Sequence, residues 1–152
     1  MSKTQKQQAD LPIPDRAFIG LQKAADKLAV QAEQLVKANG LTGAQYNVLR
    51  ILRGAEPDGL ACSTISERMI SHDPDMTRLL DRMEKRDLIT RQRQTDDRRV
   101  VKTRITSGGL ELLKQLDHPI RELHKKQFAH IANARVKELA EFLEEIGEQD
   151  RE

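Results

Sequence analysis

The residues Ser63 to Thr106, STISERMISHDPDMTRLLDRMEKRDLITRQRQTDDRRVVKTRIT, hold two short helix patterns, a basic second helix and a charged hairpin, in that order. Ser63 stands where a helix cap would, ahead of the apolar positions Ile65 and Met69, and the chain then turns through Ser71 and His72. Asp73 followed by Pro74 predicts the next helix start. A carboxylate accepts bonds from first-turn N–H groups that lack partners, and the fixed φ of proline suits the first helical position. From Pro74 to about Arg86, the residues Met76, Leu79, Leu80 and Met83 recur at i, i+3, i+4 and i+7, so one stripe faces a core. The other face carries Asp75, Thr77, Arg78, Asp81, Arg82 and Lys85, and the spacing of Arg78, Arg82 and Lys85 stacks them along one side. Ile89 to Arg93 and Val100 to Ile105 are β-rich runs, and the polar Gln94 to Arg99 between them predicts a hairpin with a charged tip.

Between Arg78 and Arg104 stand ten Arg or Lys and five Asp or Glu, although the whole chain carries a net charge of only +2. Duplex DNA presents a dense line of phosphates, and locally concentrated cations supply affinity by releasing counterions. A solvated face accounts for an isolated basic helix. A helix-turn-helix spacing, a cationic second helix and a wing in succession imply instead a winged helix-turn-helix that reads duplex DNA. Single-stranded nucleic acid fits less well, because stacking needs aromatics among the cations and none lies between Ala55 and Lys125. On this reading Thr77, Arg78 and Arg82 approach bases or phosphates from a major groove, Asp75 lies beside them, and Ser71 and His72 touch the DNA backbone. The tip, Asp97, Arg98 and Arg99, reaches a minor groove. By the two-residue strand period Asp97 and Arg99 share a side, so the carboxylate is expected to orient the guanidinium.

The runs Leu41-Thr-Gly-Ala-Gln-Tyr-Asn-Val-Leu49 and Asp75-Met-Thr-Arg-Leu-Leu-Asp-Arg-Met-Glu-Lys-Arg-Asp-Leu88, with Asp97-Arg-Arg99 and Ile105-Thr106, resemble the multiple antibiotic resistance regulator (MarR) family of bacterial transcription factors. The resemblance spans about Asp15 to Ile146. It departs at Asp87, where the family commonly ends its reading helix with Gly; Asp tolerates the left-handed backbone at some cost. The resemblance implies a mainly α fold (α+β winged helix) and a homodimer whose first and last two helices interlock. It further implies repression of an inverted-repeat operator, relieved by a small aromatic or phenolic effector bound between dimer helices and reading domain. Two-fold symmetry sets the half-sites about one helical turn apart. Tyr46 is the residue offered for that cleft, against the plainer alternative of a core tyrosine.

The flanks carry helix patterns. Phe18, Leu21, Ala25, Leu28, Ala32 and Leu35 form a heptad-like stripe on a helix that Asn39-Gly40 closes. Thr42 with Gln45 makes a capping-box pattern, and the helix it opens, to about Arg53, turns Tyr46, Leu49 and Leu52 inward. Thr106 opens a long helix through Leu110, Leu113, Leu116, Ile120 and Leu123, with Pro119 expected to bend it. Asn133 caps a last helix bearing Val136, Leu139, Leu143 and Ile146. With 33% charged and 38% hydrophobic residues, the 152-residue chain is lean for a monomer. A dimer would cover Phe18, Leu21, Leu28, Leu35, Leu139, Leu143 and Ile146, whereas a helical core within one chain is the simpler alternative. The expected organisation is one domain over 1–152, with a DNA-binding lobe at 42–106 and dimerisation helices at 14–40 and 107–147. From Asn133 to Glu152 seven acidic residues stand against three basic ones, which collects negative charge away from the DNA face.

Other function classes find little support. Cys62, His72 and Asp73 supply the residue types of a nucleophile, base and orienter, but their spacing establishes no geometry. No enzyme activity is expected. His118, His124 and His130 are six apart, which rotates a helix by roughly 240° and spreads them over different faces, so no metal site is expected. No Gly-rich phosphate loop is present, and no cofactor is expected. The polar Met1 to Ala9 lacks a signal-peptide core and no run approaches the ~20 residues of a membrane span, so the protein is expected in the cytoplasm without a membrane partner. A single cysteine fits a reducing compartment. Two alternatives remain, a winged-helix module that binds an acidic protein, and a regulator that senses redox state through Cys62.

Overall fold

The computed structural model describes residues 10–148, so the polar Met1 to Ala9 and the end of the acidic run, 149–152, lie outside the described residues. Helix α1 spans Ile13–Ala38 and begins with Pro14 in its first turn, where a missing N–H costs nothing. It ends as Asn39-Gly40 predicts. Gly40 takes φ 79°, its N–H donates to Lys37 O at 3.0 Å and that of Leu41 to Val36 O at 3.3 Å, the paired bonds of a Schellman stop. Val36 and Leu41, both buried, close the corner.

Helix α2 spans Gly43–Arg53 and opens on the predicted capping box, Gln45 N donating to Thr42 Oγ1 and Thr42 N to Gln45 Oε1, both at 3.1 Å. Leu49 and Leu52 are buried as expected, Val48 joins them, and Tyr46 is only partly covered. A two-residue strand β1, Leu60–Ala61, follows; too short to show any periodicity, it has no counterpart in the sequence reading. Helix α3, Cys62–Arg68, starts one residue before Ser63, with Ala61 at the cap and no side-chain cap bond.

The basic helix α4 spans Met76–Lys85, two residues later than Asp73-Pro74 predicts. Two carboxylates compete for the start. Asp73 Oδ1 accepts from Asp75 N at 2.9 Å and shapes the turn around Pro74, while Asp75 Oδ1 accepts from Arg78 N at 3.2 Å and caps the helix directly before the apolar stripe. Met76, Leu79, Leu80 and Met83 are buried, as their spacing requires. Strands β2, Ile89–Arg93, and β3, Val101–Ile105, pair antiparallel with Ile89 opposite Ile105 and Arg93 opposite Val101. β1 pairs with the far edge of β3, giving the order β1-β3-β2.

Helix α5, Ser107–Phe128, is capped by Thr106 as predicted and passes through Pro119 without ending. Helix α6 spans Asn133–Glu148; Asn133 is its first residue, since Val136 N donates to Ala132 O at 3.1 Å and places Ala132 ahead of the helix. The core draws on α2, α4, the sheet and Leu113, Leu116 and Ile120 of α5, whereas α6 buries no residue and α1 only Val36. The architecture is therefore mainly helical with a small three-stranded sheet, a winged helix carrying long helices on either side.

Candidate functional site

The cations of α4 stand on the exposed side left by its core stripe. Arg78 is three-quarters exposed, its Nε 3.2 Å from Asp75 Oδ2, and Arg82 Nε donates to Arg78 O at 3.3 Å. Exposed pairs of this kind contribute little to stability and are readily exchanged for another anion. Thr77 and Lys85 share the exposed side. Asp81 and Glu84 are drawn off it: Arg91 of β2 donates from Nη2 to Asp81 and to Glu84 Oε2, the latter at 2.7 Å. The hydrogen bond from Arg91 holds the Glu84 carboxyl below the usual carboxylate range.

At the wing tip Asp97, Arg98 and Arg99 are exposed. The expected aiming of Arg99 by Asp97 takes another form. Asp97 Oδ1 accepts from the main-chain N–H of Arg99 at 3.0 Å rather than from its guanidinium, and Val100 N donates to Asp97 O at 3.0 Å. Between Arg93 and Val101 the chain bends instead of extending, so the two-residue period does not apply, and Asp97 shapes the turn that presents both arginines.

A cavity of about 650 Å³ lies between α1, α2, α5 and the turn Met69 to Asp73 that leads into α4. Tyr46 lines it, as do Ser71 and His72, which the sequence places at DNA. Burial raises the Tyr46 pKa, opposed in part by nearby Arg50. The Arg50 guanidinium stands 5.8 Å from the Tyr46 ring centroid. Arg53 bonds both oxygens of Asp117, at 3.0 and 2.9 Å, tying α2 to α5 across the cavity wall. Asn47 Oδ1 accepts from Ile70 N at 2.8 Å, so the turn ahead of α4 is fastened to α2 from inside the cavity. Sequence reading missed these partners. Arg50 was open to inference, one helical turn after Tyr46; Asp117, 64 residues from Arg53, was not.

Cys62 is exposed at the start of α3 and is not on the cavity wall that His72 and Asp73 line. Among the described residues no group of three His, Cys, Asp or Glu is placed to hold a metal ion, and no helix is long and apolar enough to cross a membrane.

The expected subunit stripe divides. Phe18 and Leu21 on α1 and Leu139, Leu143 and Ile146 on α6 are exposed, joined by Ile13, Val30 and Phe142. Leu28 and Leu35 are partly covered within the single chain: Leu35 packs on the core, and the Leu28 carbonyl accepts from Gln127 Nε2 of α5 at 3.1 Å.

A model of the MarR family matches residues 41–101, from the start of α2 into β3. A solved MarR transcription factor from Planctomyces limnophilus is 36% identical to this chain, covers 88% of it and 97% of its own length, and superposes with a TM-score of 0.67. The chain belongs to the MarR family. Two relatives are repressors: the HTH-type transcriptional repressor IacR of Pseudomonas putida, 28% identical over 132 residues, with 87% of this chain and 78% of its own covered, and the homoprotocatechuate degradative operon repressor of Escherichia coli, 27% identical over 132 residues, with 87% and 88% covered. MarR membership accounts for the order of elements and for the wing.

Proposed function

We propose that this protein is a homodimeric, ligand-responsive repressor that reads an inverted-repeat operator. The observation that carries this reading is the exposed ridge of Arg78, Arg82 and Lys85 on a helix followed at once by a wing with Arg98 and Arg99 at its tip. Thr77, Arg78 and Arg82 enter a major groove, the Asp75 carboxylate gives up Arg78 to phosphate or guanine, and the wing tip enters a minor groove. Ser71 and His72, in the turn between α3 and α4, meet the backbone on one side and the cavity on the other. The lobes are 42–106 for DNA and the flanking helices 14–40 and 107–147 for pairing, through Phe18, Leu21, Leu139, Leu143 and Ile146. The protein works in the cytoplasm and carries no catalytic activity.

The cavity is the effector site. Arg53 is engaged by Asp117, whereas Arg50 and Arg121, also on the wall, have no ion-pair partner among the described residues. An aromatic ring against Tyr46 and an acid group toward these arginines describes a phenolic acid, the class of homoprotocatechuate, named for one relative. Occupancy would act on the Asn47–Ile70 fastening and so on the start of α4. The test is selection of bound genomic fragments followed by titration of the recovered operator with and without homoprotocatechuate. Recovery of an inverted repeat, with affinity lower for Arg78→Ala by about tenfold or more, supports the reading. Equal affinity for all duplexes, or for Arg78→Ala and the unaltered protein, overturns it.

A further inference from the structure

Arg91 differs from the other cations of the wing. Its side chain is 24% exposed, whereas Arg93, Arg98 and Arg99 lie open. It turns back from β2 onto α4, where Nε and Nη2 meet Glu84 Oε2 at 3.1 and 2.7 Å, Nη2 also reaches Asp81, and the Arg91 main-chain N–H adds a bond to Glu84 Oε1 at 3.1 Å. One arginine thereby engages both carboxylates of the helix. At about 100° per residue, Asp81 projects between Thr77 and Lys85 and so borders the side that carries Arg78, whereas Glu84 lies just beyond Thr77, at the opposite edge of the exposed face. Left alone, Asp81 would stand four residues before Lys85, the favourable order for an acid–base pair, and would take that lysine out of use. As it is, Lys85 makes no ion pair among the described residues.

We infer that Arg91 is a positioning residue for DNA recognition: without touching DNA, it sequesters Asp81 and Glu84 of the reading helix and so leaves Lys85 free for phosphate. The inference rests on the reading that α4 meets the duplex. A planar guanidinium suits this task because its fork can serve two carboxylates at once, which an ammonium does poorly. The geometry also sets the angle between wing and helix, since the same residue belongs to β2 and grips α4.

The test is a charge cycle read by fluorescence anisotropy on a short labelled duplex of mixed sequence, which reports phosphate electrostatics without knowledge of the operator. Arg91→Ala is expected to weaken binding by about tenfold, because the bared Asp81 then pairs with Lys85 and both carboxylates add negative charge to the helix that meets phosphate. The triple variant Arg91→Ala/Asp81→Asn/Glu84→Gln is expected to return to within about threefold of the unaltered protein. A triple variant as weak as Arg91→Ala overturns the inference and makes Arg91 a direct phosphate contact or a mere fold element. Should Arg91→Ala fail to fold, the triple variant still decides: parity with the unaltered protein supports sequestration, and a tenfold loss overturns it. Arg78→Ala is the companion control. Its loss of affinity keeps the underlying reading of α4 whatever the cycle gives, whereas no loss removes α4 from the duplex and the inference with it.

Discussion

At Asp87 the backbone takes φ 54° just past the end of α4, and the bonds Asp87 N to Glu84 O at 2.9 Å and Leu88 N to Met83 O at 3.1 Å depend on that left-handed step. An L-residue pays for such a conformation and glycine does not, although glycine gains more freedom when unfolded. The difference favours Asp87→Gly by about 0.5–1 kcal/mol, seen as a higher thermal midpoint, while β-branched Asp87→Val lowers it. An unchanged or lower midpoint for Asp87→Gly would mean that the carboxylate itself holds the turn. The left-handed step at this position was legible only through the family resemblance, which sets glycine where Asp87 stands. The partners of Arg91 were not legible. Asp81 and Glu84 lie ten and seven residues away, and only the pairing of β2 against α4 selects that arginine from the cations of the wing.

The pairing of α4 with β2 has a pH signature at the scale of elements. The Glu84 carboxyl is held below its ordinary value of 4.5, chiefly by the hydrogen bond from Arg91. A carboxyl whose folded pKa lies below its unfolded one stabilises the fold above the unfolded value, and that contribution disappears as pH falls through the folded value. Glu84→Gln should therefore lower the thermal midpoint at neutral pH and converge on the unaltered protein once the pH has fallen through the lowered carboxyl value. A gap that persists in acid would assign the loss to packing of the side chain, not to its charge. Elements differed in how far sequence could place them. The Thr42–Gln45 capping box and the stripe of α4 are written in spacing alone, and both stand where expected. The start of α4 was misplaced because Asp73 and Asp75 are chemically equivalent caps and only the turn around Pro74 separates their roles. β1 exists through its pairing of Leu60 with Thr103, a contact that no local pattern encodes.

At the scale of the whole molecule, exposed apolar side chains gather on the two flanking helices, α1 and α6. α1 carries Ile13, Phe18, Leu21 and Val30, and α6 carries Leu139, Phe142, Leu143 and Ile146, all exposed in the single chain. Fully covering a side chain of this size is worth about 1.5–3 kcal/mol, so several together can outweigh the entropy lost on association. Leu28 is a poor probe of such an interface, because it is half-buried in its own chain and a charge there would also disturb folding. Phe142 is the better one: it is 60% exposed on a helix that buries nothing. Phe142→Glu should leave the circular dichroism of the helices unchanged. If the proposed dimer buries α6, each subunit then brings an unpaired carboxylate into the apolar interface. The protein should then sediment as a monomer and lose operator affinity by about a hundredfold, since the second half-site is no longer bound at high effective concentration. Binding to one isolated half-site should hardly change. A Phe142→Glu protein that remains dimeric with full operator affinity would place the subunit interface elsewhere and leave the apolar face of α6 for a different partner.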